Sequence, residues 1–370
     1  MDTEIIKIDE ENIDIGLINK AGQIIRAGGL VAFPTETVYG LGGDALNPDS
    51  GRKIYAAKGR PSDNPLIIHI ARWEALKEIV DYIPPAAKVL ADRFWPGPMT
   101  IIMKKSDKVP LEITGGLDTV AVRLPVNKTA RALIEAAGGY VAAPSANLSG
   151  RPSPTSAKYV IEDMQGRIDM IIDGGESNIG LESTIVDLTE ETPMILRPGF
   201  ITEKQLNEIL EEVKTDPAIS EKDSTKAPKA PGMKYRHYAP KGSLTIISGG
   251  RVQVADYIVR KAVENIELGK RVGIIGTEEN IEKYRVALSA TDAKTSRAGG
   301  MPLNISIKSA GFRDDEEQIA RSLYNILREF DDEGIEIIFS EDFKDGKSGE
   351  LGEAIMNRLL KAAGHQVINL

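Results

Sequence analysis

GLVAFPTETVYGLGGDA, residues 29–45, carries the apolar run Leu30, Val31, Ala32, Phe33 between the glycines Gly28 and Gly29 and the proline Pro34. Such a short run with such boundaries is the mark of a buried strand. The polar residues Thr35, Glu36, Thr37 and Tyr39 then stand just past the strand's carboxyl end, before the chain dissolves into glycine. In open α/β sheets that is where ligands bind, in a crevice lined by the loops between strands and helices.

Outward from this stretch, strand-like and helix-like patterns alternate. A helical pattern through GLINKAGQIIRAGG precedes the strand LVAF, and one through GRKIYAAKG leads to PLIIHI. Helices follow around RWEALKEIVDYI and PPAAKVLADRFW, then strands MTIIM and TVAVRL, helix KTARALIEAAGG, strands YVAA, IDMIID, STIVDL and MILR, and helix TEKQLNEILEEV. From Lys214 to Lys241 the chain is rich in Pro, Lys, Ser and Asp, the composition of a linker. Beyond it SLTIIS, VADYIVRKAVENIELG, RVGIIG, EEQIARSLYNILREFDDEG, IEIIFS and GELGEAIMNRLLKAAG restart the alternation as a small doubly wound sheet. The expected class is α/β in two domains, 1–213 and 242–370, joined by a linker at 214–241.

Composition narrows the function. The 370 residues are 41% hydrophobic and 27% charged, enough for two cores. A net charge of −9 argues against coating nucleic acid or an anionic membrane by bulk electrostatics, so an anionic ligand needs a local cluster. Cysteine is absent, which removes thiol nucleophiles, disulfides and thiolate zinc sites but leaves oxygen-ligated Mg²⁺ open. The acidic start MDTEIIKIDEEN lacks a basic-then-apolar leader, and no apolar run approaches the roughly 20 residues of a membrane span. A cytoplasmic protein is expected, with no glycosylation at the sequon Asn147-Leu148-Ser149.

Several runs end on or carry polar groups: Thr35 after LVAF, His69 in PLIIHI, Arg123 after TVAV, Ser145 and Asn147 after YVAAP, Ser183 and Thr184 opening STIVDL, and Arg197 closing MILR. Lys58 and Arg60 stand beside Asn64 in YAAKGRPSDNP, on a Gly-Pro loop whose two cations suit phosphate or carboxylate. Each alone has an ordinary structural reading as a surface cation, a half-buried histidine or a turn residue. Jointly they describe a positive pocket in an acidic protein. EDFKDGKS, residues 341–348, resembles the end of a phosphate-binding loop, but Glu341 stands where its first glycine belongs, so an acidic surface loop is expected. RVGIIG carries too few glycines for a dinucleotide fingerprint.

The blocks FPTETVYGLGGDA, KGRPSDNPLIIHI, FWPGPMT, VAVRLP, PSANLSGRPSPT, ESTIVDL and ILRPG resemble the YrdC family in order and spacing through residues 10–212. The segment PGMKYRHYAPKG and the second α/β domain resemble the long, two-domain members that form threonylcarbamoyl-adenylate. The resemblance implies a twisted mixed sheet followed by a smaller Rossmann-like domain. It also implies a reaction: L-threonine, bicarbonate and ATP, with Mg²⁺, give threonylcarbamoyl-adenylate, pyrophosphate and water. A separate transferase complex then uses the product to modify tRNA. Carried over residue by residue, the family motif implies that Thr35, His69, Arg123 and Ser183 hold threonine or its carbamate. Lys58, Asn64, Thr119, Ser145, Asn147, Ser153 and Arg197 hold ATP, Lys58 and Arg60 act at the phosphates, and Tyr235 folds over the nucleotide. The metal is expected on the ATP phosphates, without protein ligands. Where the family often has threonine two residues before Ser145, this chain has Ala143.

Two other classes compete. An RNA-binding module with a YrdC-like basic surface would need basic residues interleaved with aromatics, and the chain has no such stretch, so no stable nucleic-acid complex is expected. The carbamoyltransferase of hydrogenase maturation contains a related domain, but resembles a chain with cysteine-rich zinc fingers. Between Pro231 and Pro240 the linker concentrates Met233, Tyr235, His237 and Tyr238, which is more than a passive tether requires.

Overall fold

In the computed structural model, which describes residues 2–219, 230–231, 238–289, 304–344 and 351–370, the opening stretch is a β-hairpin. Val31–Phe33 pairs antiparallel with Gly40–Asp44, so the glycines that looked like a dissolving loop form a strand. The reason is packing. A Cβ on Gly42 would stand 2.8 Å from Val141 Cγ1, and one on Gly40 would stand 3.0 Å from Phe33 Cζ. Glycine at 40 and 42 leaves that face of the strand bare, so the Phe33 ring can lie across it.

Contacts divide the chain into two units, Met1–Ser149 with Ser153–Tyr235, and Gly150–Pro152 with Arg236–Leu370. The first is built on a mixed sheet of eleven described strands. Their order is Glu4–Lys7, Met170–Asp173, Val31–Phe33, Gly40–Asp44, Val141–Ala143, Ile67–His69, Thr119–Arg123, Met99–Lys104, Thr184–Asp187, Met194–Arg197 and Lys214–Thr215. Alternation along the strands feeds two apolar clusters. Leu30 and Ala32 join Leu41, Ile54, Ile68 and Val122, whereas Val31 and Phe33 join Ile18, Ile25, Leu133 and Val141.

The helices Ile15–Arg26, Pro48–Lys58, Pro85–Phe94 and Lys128–Ala136 fall where the periodicity put them. Ala157–Met164 is an unforeseen helix, and Glu4–Lys7 and Lys214–Thr215 are unforeseen strands. Two expected helices are cut short. RWEALKEIVDYI supplies a 3₁₀ turn, Trp73–Ala75, and one α turn, Leu76–Ile79. TEKQLNEILEEV is helical only over Glu203–Asn207, opened by a capping box between Thr202 and Gln205. Asn207 Oδ1 then accepts from the Val213 amide at 3.1 Å, a local side-chain bond that competes with continued helix.

The second unit is a parallel sheet in the order Ile305–Ser309, Val272–Gly276, Ile337–Glu341, Ser243–Ser248 and Val367–Asn369. Arg251–Glu267, Glu278–Ser289, Glu316–Asp332 and Gly352–Ala362 are its helices, and Ile247, Ile258, Ile274, Tyr284 and Leu288 lie in its core. The architecture is thus the expected one, a mixed α/β sheet domain and a smaller parallel α/β domain.

The acidic surface loop expected at 341–348 is corrected at its first residue. Glu341 ends a central strand fully buried, with Arg313 Nη2 at 2.5 Å. Thr277 Oγ1, Asn280 Nδ2 and Tyr284 Oη also donate to its carboxylate, which is how a buried charge is tolerated. Residues 345–350 lie outside the described residues. Among the described residues, no helix is long and apolar enough to cross a membrane.

Candidate active site

Sheet topology gathers His69, Arg123 and Ser183. Ile67–His69 and Thr119–Arg123 run parallel in a register that makes His69 and Arg123 Cα partners, and Arg123 is also opposite Thr100 on the antiparallel strand Met99–Lys104. Thr100 Oγ1 lies 2.7 Å from Ser183 Oγ, and Arg197 grips Ser183 through Nε on its carbonyl at 3.0 Å and Nη2 on its hydroxyl at 3.1 Å. From the hairpin loop, Thr35 Oγ1 lies 2.9 Å from Thr37 Oγ1, which accepts from Arg123 Nη1 at 2.8 Å. Thr35, His69, Arg123 and Ser183 are all buried.

His69 Nδ1 lies 3.2 Å from the Ile67 carbonyl, and its ring meets Phe33 edge to face. Burial, aided by the neighbouring Arg123 charge, lowers its pKa from 6.5 to about 3. The imidazole is therefore neutral at physiological pH and serves as a hydrogen-bonding group rather than a cation.

Ser145 and Asn147 are tied together by Lys58. It was expected on an exposed loop; instead it is the last residue of the helix Pro48–Lys58 and only 3% exposed. Gly59 ends the helix in the left-handed region, φ 60°. The Lys58 ammonium donates to the carbonyls of Ser145 and Asn147, each at 2.5 Å, and contacts Asn147 Oδ1 at 3.3 Å. Asn147 is itself buried and accepts from Ser145 Oγ at 2.5 Å, which accounts for a sequon that is no surface feature. Arg60 donates to the carbonyls of Asn64 and Pro65, and buried Asn64 keeps an Oδ1 that makes no hydrogen bond.

Ser153 donates to Glu182 at 2.6 Å, so its loop meets the residue next to Ser183. The same region holds the buried cations Lys58, Arg123 and Arg197 and the buried carboxylates Glu36, Asp163 and Glu182, with Asp163 accepting from the Leu148 amide at 3.1 Å. Thr119 is not brought into these networks. It begins the strand that Arg123 ends, about 13 Å away at the strand rise. Tyr235 lies outside the described residues. Ala143 is buried in the second apolar cluster.

Sequence reasoning gave no role to Glu36, Thr37, Thr100 or Glu182. Glu36 had a signal, a lone carboxylate within a loop of otherwise uncharged residues after a buried strand. The segment 174–183, which folds over that loop, had none. It is fixed by contacts at long range: Tyr39 Oη donates to the Gly175 carbonyl at 2.6 Å, and the Ile179 and Gly180 amides donate to the carbonyls of Glu36 and Thr37.

Residues 23–199 match the family model described as telomere recombination, and residues 201–364 match the model described as threonylcarbamoyl-AMP synthase, C-terminal domain. The chain is 46% identical to the threonylcarbamoyl-AMP synthase of Pyrococcus abyssi, over 97% of this chain and 98% of that one. It belongs to the threonylcarbamoyl-AMP synthase family. A second threonylcarbamoyl-AMP synthase, that of Bacillus subtilis, is 43% identical over 97% of this chain and 96% of its own. A crystal structure of Pyrococcus abyssi Sua5 complexed with L-threonine superimposes with a TM-score of 0.87 at 45% identity, covering both chains completely. The two-domain threonylcarbamoyl-AMP synthase arrangement thus extends over this whole chain.

Proposed function

We propose that this protein makes L-threonylcarbamoyladenylate from L-threonine, bicarbonate and ATP, releasing pyrophosphate and water. The observation that carries the reading is the joining of Thr35, His69, Arg123 and Ser183 in one buried polar region that continues through Arg197 and Glu182 to Ser153. The amine of threonine attacks the bicarbonate carbon, water leaves, and a carbamate forms. A carbamate oxygen then attacks the α-phosphorus of ATP and expels pyrophosphate. No protein nucleophile is required, and the chain's contribution is positioning and charge stabilisation.

Thr35, His69, Arg123 and Ser183 hold threonine and its carbamate in this reading. Lys58, Asn64, Thr119, Ser145, Asn147, Ser153 and Arg197 hold ATP, with Arg60 beside the phosphates. Lys58 serves twice, fixing the Ser145–Asn147 loop and lending charge to the nucleotide side. Tyr235 closes over the nucleotide and keeps water from the adenylate. The proposed Mg²⁺ travels on the triphosphate, where it neutralises charge. The product passes to a separate transferase complex that modifies tRNA.

The test is direct. Full-length protein incubated with labelled bicarbonate, L-threonine and ATP is expected to give a labelled adenylate that requires all three. Failure to form it would overturn the assignment.

A further inference from the structure

Glu36 and Arg123 form a buried ion pair. Both side chains are 5% exposed, and Glu36 Oε1 lies 2.6 Å from Arg123 Nη2. Beyond that charge contact, neither Glu36 oxygen nor Arg123 Nη2 has a hydrogen-bond partner. The rest of the guanidinium is committed, Nη1 to Thr37 Oγ1 at 2.8 Å and Nε to the Gly97 carbonyl at 3.3 Å. A buried carboxylate held by one cation, with neither oxygen hydrogen-bonded, is costly and uncommon in a settled core.

Opposite charges side by side, each with unspent hydrogen-bonding capacity, are the complement of a zwitterion. A ligand carrying only negative charge would meet Glu36 as it approached Arg123. One carrying only positive charge would meet Arg123. A ligand carrying both gives each buried group a partner of opposite sign. Neutral His69, the Cα partner of Arg123, adds no competing charge.

We infer that Glu36 is a substrate-contacting specificity residue, receiving the α-ammonium of the amino acid while Arg123 Nη2 receives its α-carboxylate. The inference rests on the reading above, that this region takes threonine. It adds a consequence which that reading does not contain: the site selects α-amino acids over the matching α-hydroxy acids.

The experiment is calorimetric titration of the full-length chain and of Glu36→Gln with L-threonine and with (2S,3R)-2,3-dihydroxybutanoate, in which a hydroxyl replaces the ammonium. Wild-type protein is expected to prefer threonine by about 100-fold, the scale of a buried charge partner. Glu36→Gln should lose about that factor for threonine while binding the hydroxy acid as well as before or better, because a repelling charge has gone. Glu36→Asp retains a charge with a shorter reach, and should keep an ammonium preference of about tenfold with weaker threonine binding. It carries the test should Glu36→Gln fail to fold. Equal loss of both ligands in either variant would make Glu36 a support for Arg123 alone and overturn the inference. Wild-type protein that binds threonine without preferring it to the hydroxy acid would also overturn it. Wild-type protein that binds neither ligand would overturn the threonine reading itself, and the inference with it.

Discussion

His69 and Arg123 are Cα partners at the carboxyl ends of adjacent parallel strands, which places a permanent cation beside a buried imidazole. The folded pKa of His69 is about 3 against 6.5 for the free side chain. Because it is lowered, the unfolded chain binds the proton first as pH falls. The stabilising contribution is complete above pH 6.5 and declines toward pH 3 by about 1.4 kcal/mol per pH unit. His69→Gln should flatten that part of an acid stability curve measured by chemical denaturation. The chain has three histidines, and proton NMR should find one that stays neutral to pH 4 and disappears in the variant.

Lys58 is a structural clamp, and in the proposed function it is also a phosphate-side cation. Lys58→Ala leaves the Ser145 and Asn147 carbonyls without their ammonium donor and should destabilise the first unit by about 3 kcal/mol, seen as a lowered thermal midpoint. Arg60 is partly exposed and its substitution by alanine should cost about 1 kcal/mol. Both variants should reduce adenylate formation at least ~100-fold. Full activity in Arg60→Ala at wild-type stability would remove it from the phosphate side.

A site with the hydroxyls of Thr35 and Ser183 in a buried network should reject substrates that leave those groups unpaired. Serine should be used poorly and 2-aminobutyrate less well still, by about 1,000-fold in kcat/KM from pyrophosphate release. Equal use of 2-aminobutyrate and threonine would contradict hydroxyl recognition.

The first unit continues past the helix Glu203–Asn207. Lys214–Thr215 pairs with Met194 and Ile195, Ala230 is buried among Ile67, Ile102 and Leu196, and Arg197 Nη1 donates to the Pro231 carbonyl. A chain ending at Val213 should keep an α/β far-UV spectrum, since the buried members of both apolar clusters end by that residue, but make little adenylate or lose it to hydrolysis. Tyr235→Ala in the full chain should reproduce much of that defect. Wild-type turnover by the truncated chain would reduce the segment to a spacer.

In the second unit, Arg313→Met removes the cation from a fully buried Glu341. It should destabilise that unit by about 3–5 kcal/mol, and pairing it with Glu341→Met should recover most of the loss. Denaturant unfolding of the two variants decides; additive losses would show that the pair does not act as a unit.

Much of this could be anticipated because apolar periodicity is local. Val31 and Phe33 on one face and Leu30 and Ala32 on the other declare a strand buried on both sides, and KTARALIEAAGG declares a helix. Gly40–Asp44 could not be anticipated. With three glycines in five residues it shows too little side-chain period to be read as a strand, and only the fold shows that Phe33 and Val141 fill the space that side chains at 40 and 42 would need. Lys58 was misplaced for a related reason. A lysine beside glycine and proline suggests solvent, and the carbonyls that hold its ammonium come from residues 145 and 147.

By itself the sequence determined the α/β alternation and the residue types that bear charge and hydroxyl at strand ends. Each follows from local pattern. Tertiary structure alone decided which of those groups meet. Arg123 lies beside Glu36, Ser183 beside Thr100 and Arg197, and Ser153 beside Glu182 because of sheet order and register. A charge or hydroxyl is stable in the interior only when a partner from a distant part of the chain replaces the water it loses, and no local pattern contains that partner.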